Sequence, residues 1–209
     1  MAQRSAIPLL IPARPAGGNG AQPPGGEPGP GPEAPAARIQ TGLWFLLVAV
    51  AMLFVAFTVS YLARRTAPDW RPVPLPALLW INTLVLLSSS AALEEARRRG
   101  RRGAGGAMRR ALGLTALLGG VFLFGQIAAW RELAAAGLFM RTSPHSAFFY
   151  LLTAVHGVHL LGGLGALGYA LRRVAGAPQA AVAVTLGAVA IYWHFLTVLW
   201  IYLLGILWV

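Results

Sequence analysis

Residues 148–163 read FFYLLTAVHGVHLLGG. Two histidines, His156 and His159, stand in an apolar run that continues on both sides. Three positions along a helix bring two side chains to within about 60° of each other, so both rings share one face and lie a turn apart. A neutral imidazole tolerates such a place when its nitrogens find partners, and it also ligates metals. The stretch predicts a buried, membrane-spanning helix and raises a question: are its histidines ligands, proton carriers or structural groups?

The rest of the chain has the same solvent in mind. Of 209 residues 57% are apolar and only 11% charged, with a mean hydropathy of +0.64, which excludes a soluble globular domain. Five apolar stretches can cross about 30 Å of hydrocarbon as helices of roughly 20 residues: 43–63, 75–93, 111–130, 147–171 and 180–209. None alternates polar and apolar residues as a membrane strand does. The expectation is an all-α polytopic bundle of five transmembrane helices over residues 41–209. Trp44, Tyr61, Trp70, Trp130, Phe148, Tyr150, Trp200, Tyr202 and Trp208 gather near the ends of these stretches, where aromatic rings favour the interface.

Every basic residue is an arginine. Twelve lie in the N-terminal segment and the second and fourth connections, against five in the first and third. That asymmetry predicts a cytoplasmic N-terminus and an external C-terminus. Residues 1–38 carry nine prolines and seven glycines, so residues 1–40 are expected as a disordered tail with no cleavable apolar leader. The Arg-rich second connection is short, lacks interleaved aromatics and is anchored at both ends, which argues against nucleic-acid binding. The chain has no cysteine, excluding disulfides, iron–sulfur clusters and thiolate metal sites.

No Asp, Glu or Arg sits in the middle of any apolar stretch. An ion-coupled transporter places a carboxylate there, so transport by this chain alone is not expected. The mid-depth polar residues are Asn82, Thr83, Ser88 to Ser90, Gln126, His156, His159 and His194. Two readings remain open. His156 and His194, at matched depth on two helices, could ligate a b-type haem. Alternatively, the imidazoles hydrogen-bond to neighbouring helices and hold the bundle together. The fourth stretch is also rich in small residues, with Gly162, Ala166 and Ala170 spaced by four, a pattern that lets helices approach closely in lipid.

The stretch 148–163 and YWHFLTVLWIYLLG (192–205) resemble the two strongest motifs of the cytochrome c oxidase subunit III family, the third subunit of the haem–copper oxidases. The matching residues are Thr153, His156, Gly157, His159 and Gly163 in the first, and Tyr192, Trp193, His194, Phe195 and Trp200 in the second. INTLVLLSSSAALEEA (81–96) resembles the family's segment around Asn82 and Thr83, and GGVFLFGQIAAW (119–130) its segment around Gln126. The resemblance covers residues 41–209. Departures are Thr197, where the family has Asp, Ala154 in place of Gly, and PLPALLWINT, where many members carry a carboxylate; a proton-supply role resting on those carboxylates is not expected of this chain.

What the resemblance implies is an accessory subunit of a respiratory terminal oxidase in a prokaryotic plasma membrane. Catalytic, metal-binding and cofactor-binding residues are then expected to be absent from this chain, with haems and copper in the partner subunits I and II and phospholipid bound nearby. The subunit would brace subunit I and support proton uptake during O₂ reduction, and the motif residues would be structural. Longer members carry two further helices; resemblance to five-helix members implies a partner subunit I that covers the flank with extra helices and lipid.

Overall fold

The computed structural model of the chain describes residues 33–174 and 176–208. They form five helices: α1 (Glu33–Arg64), α2 (Leu78–Arg101), α3 (Gly105–Ala135), α4 (Pro144–Arg173) and α5 (Gln179–Trp208). Residues 33–40, expected in the tail, belong to α1, so the helix starts ahead of the boundary at 40; the remainder of that tail lies outside the described residues. Among the described residues helices are the only regular elements, as the apolar stretches predict.

Four helices close a ring in which α2 packs on α3 and α5, and α4 packs on α3 and α5. Helix α1 stands outside the ring against α4 and α5. Its buried residues, Leu47, Val50, Phe54, Thr58 and Tyr61, recur every three or four positions and make one seam. The opposite face presents Phe45, Val48, Met52, Val55 and Val59, side chains suited to lipid.

Helices α1, α3, α4 and α5 are long and apolar enough to cross a membrane. Helix α2, expected as the fifth span, falls short of that test by average composition. The reason is which way its side chains point. Asn82, Thr83, Ser89 and Ser90 are buried in the bundle, whereas Trp80, Ile81, Leu84 and Leu87 face outward. Polar groups satisfied inside a bundle lower the mean apolarity at little cost, and the one outward serine, Ser88, donates to the Leu84 carbonyl of its own helix at 2.8 Å. With 24 residues, α2 rises about 36 Å, enough for a bilayer.

The Arg-rich connection also differs from expectation. Helix α2 runs on through it to Arg101 and α3 begins at Gly105, leaving three residues between them. Glu94 reaches Arg97 at 2.8 Å and Arg101 at 3.7 Å, and Glu95 reaches Arg99 at 2.8 Å. Carboxylates placed N-terminal to arginines on one helical face support that helix. The Arg99 hydrogen bond holds the Glu95 carboxyl below its usual range. At Gly103 and Gly137 the backbone turns left-handed, φ +72° and +76°, a conformation that glycine adopts at no steric cost. Helix α4 starts on a capping box in which Ser143 and Ser146 exchange bonds, with Pro144 in the first turn, where a missing N–H does no harm.

Candidate functional site

Asn82, Thr83, Gln126, Thr153, His156, Trp193 and Trp200 are buried along the inside of the ring, whereas Gly157, His159, Tyr192, His194 and Phe195 are only partly buried. Asn82 of α2 donates to the Phe122 carbonyl of α3 at 2.9 Å. This is possible because position 125 is glycine: a β-carbon there would overlap the Asn82 amide. One residue on, Thr83 donates to the Leu79 carbonyl at 2.8 Å and accepts the Trp200 indole N–H at 2.9 Å. The same Trp200 ring packs 4.9 Å from Phe122 and 5.2 Å from His156. His156 is fully buried and edges on Phe122 at 5.9 Å. Gln126 of α3 is also buried in this layer.

One turn from His156, Thr153 donates to the Phe149 carbonyl at 2.7 Å and accepts the Trp130 indole N–H at 3.0 Å. His159 takes a different role from His156. Its Nδ1–H donates to the Val155 carbonyl at 2.8 Å, and its ring packs 5.8 Å from Phe54, clasping α1 to the ring. The His159 carbonyl in turn accepts the Tyr192 hydroxyl at 3.0 Å.

Trp193 is fully buried between two glycines. A β-carbon on Gly119 would lie 2.7 Å from its ring, and one on Gly163 would lie 3.1 Å away. The glycines thus form notches on α3 and α4 that admit an indole from α5. Gly157 has no such duty, since its nearest neighbour would be Leu123 at 3.8 Å. Phe195 is half-buried against the core. Thr197 donates to the Trp193 carbonyl and lies 2.8 Å from the Ser90 hydroxyl of α2. A hydroxyl pair therefore joins α2 to α5.

The geometry does not bring His156 and His194 together. His156 stacks on the face of α5 that carries Trp200. His194, six positions earlier, points about 120° away around that helix. A macrocycle between the two imidazoles would have to displace Phe122 and Trp200, so these residues do not fit a bis-histidine haem. Among the described residues, no group of three or more His, Cys, Asp or Glu side chains is gathered as a metal site.

His145, in the first turn of α4, was not distinguished by sequence. Its Nδ1 accepts the Val73 N–H at 3.1 Å, so Nε2 carries the proton and donates to the Leu207 carbonyl at 3.4 Å. Trp70 and Tyr61 pack on the ring at 5.2 and 6.0 Å. One neutral imidazole thus ties the α1–α2 connection to the end of α5. A proline-flanked histidine at a helix start gives no periodic signal of this; only the fold brings residues 73, 145 and 207 together.

Comparison with known proteins matches residues 32–209 to the family described as cytochrome c oxidase subunit III. The cytochrome c oxidase subunit 3 of Thermostichus vulcanus is 32% identical over 174 residues, covering 80% of this chain and 85% of that protein. A probable cytochrome c oxidase subunit 3 of Mycobacterium bovis is 30% identical over 175 residues, covering 81% and 86%. The cytochrome c oxidase subunit 3 of Synechocystis sp. is 30% identical over 169 residues, covering 78% and 71%. With the match running through all five helices, the chain belongs to the cytochrome c oxidase subunit III family.

Proposed function

We propose that the chain is an accessory, non-redox subunit of a haem–copper terminal oxidase, one that braces catalytic subunit I, binds phospholipid and supports proton uptake during O₂ reduction. The observation that carries this reading is the use made of the buried polar groups. Asn82, Thr83, Ser89, Ser90, Thr153, Tyr192, Thr197 and Trp200 are engaged in fastening one helix to another or to its own backbone. That is the economy of a scaffold, and the haems and copper then belong to partner subunits I and II.

The arginine asymmetry supports an N-terminus and Arg-rich α2–α3 turn in the cytoplasm and a C-terminus outside. The bacterial relatives support a plasma-membrane location, and their names support cytochrome c as electron donor. The motif residues are proposed as structural throughout. The test is mild affinity purification of the tagged chain from its host. Co-purification of subunits I and II with haem and copper is expected. A chain that purifies without any haem-bearing partner contradicts the proposal.

A further inference from the structure

The layer around His156 holds polar atoms that the scaffold leaves unspent. Both ring nitrogens of His156 and both amide atoms of Gln126 are buried without a hydrogen-bond partner. The two side chains are 0% and 3% exposed. Buried polar atoms without partners are rare in folded proteins, because each has given up its bonds to water.

Their positions are linked by the register of α3 against α4. Phe122 meets the His156 ring, and eight residues later Trp130 bonds to Thr153. Gln126 lies midway between Phe122 and Trp130, four residues from each, hence on the same face of α3. His156 and Thr153, three apart, share the facing surface of α4. Gln126 and His156 therefore occupy facing turns. Of the neighbouring groups, the Asn82 amide N–H bonds to the Phe122 carbonyl, the Thr83 hydroxyl to one carbonyl and one indole, and the Thr153 hydroxyl to the Phe149 and Tyr150 carbonyls and one indole, while the Trp193 indole N–H is buried without a partner as well.

We propose that Gln126 and His156 form a binding site for one internal water molecule, held between α3 and α4. The carboxamide offers a donor and an acceptor, and a neutral imidazole offers one of each. Water matches both and is small enough to enter a packed helical interior. On this account the glutamine and the first histidine of the motifs act as a pair, and each is tolerated in the membrane because of the other.

Two measurements test the site. Electron cryo-microscopy of the intact assembly, at a resolution that shows ordered waters, should reveal one density peak within hydrogen-bond distance of the Gln126 amide and of a His156 ring nitrogen. A site without that peak, or a Gln126 amide bonded directly to the ring, overturns the proposal. Thermal unfolding of the assembly carrying Q126L, H156F or both tests the shared partner. Each single variant should lower the midpoint by roughly 2–4 °C, and the double variant by no more than the larger single effect. Losses that add overturn the shared site; where Q126L fails to assemble, Q126M, which keeps the side-chain length, takes its place.

Discussion

Gly119→Ala and Gly120→Ala place the same methyl group on neighbouring residues of α3 and should have opposite consequences. At position 120 a β-carbon meets nothing within 4 Å. At position 119 it lies 2.7 and 2.9 Å from the Trp193 ring and 3.1 Å from Leu164. Both substitutions gain the same helix propensity, on the order of 1 kcal/mol, so comparing them isolates the steric term. The Trp193 ring is fully buried and also packs against Gly163 of α4, so it has little room to retreat. Overpacking of a filled interior costs about 1–3 kcal/mol. The midpoint of G119A should therefore fall roughly 2–12 °C below that of G120A, measured by thermal unfolding in nanodiscs with tryptophan fluorescence. Adding Trp193→Phe to G119A should recover much of the gap. Equal midpoints for the two alanine variants would refute the notch.

The Ser90–Thr197 hydroxyl contact across α2 and α5 should show a coupling of about 0.6 kcal/mol in an S90A/T197V double-mutant cycle, the usual size of an interhelical hydrogen bond in membranes; strict additivity counts against it. His145→Phe keeps an aromatic ring against Trp70 and Tyr61 but leaves the buried Val73 N–H unpaired, at a cost of about 1–3 kcal/mol. Amide exchange in residues 70–75 should accelerate while that of α3 stays unchanged, and uniform acceleration would argue against a local clasp. Reporters at Gly105 and beyond Trp208 should label from the cytoplasm and the exterior respectively, whereas labelling from one side would contradict the proposed orientation.

Much of this buried set was legible in the sequence because polar residues inside apolar runs are conspicuous. Asn82, Thr83, Gln126, His156, Trp193 and Trp200 are each found buried in the ring. Their partners were not legible. That Gly125 makes room for Asn82, or that Gly119 and Gly163 make room for Trp193, depends on helix register, which composition does not encode. The Arg-rich connection was read as a loop because charge density masked the Glu–Arg spacing that supports helix. Helix α2 shows the reverse: its polarity, oriented inward, disguises a span. The matched depth of His156 and His194 suggested a shared ligand, but depth says nothing of rotation about the helix axis, and rotation separates them.

The histidines of this chain are proposed to serve the scaffold, with the redox cofactors elsewhere in the assembly. The haem content of the chain after it is dissociated from its purified assembly, read from the Soret band per mole of polypeptide, tests this. The haem should stay with the partner subunits, and the separated chain should have no Soret absorbance even after haem is supplied. A stoichiometric bis-histidine haem spectrum on the isolated chain, abolished by His156→Leu, would contradict it.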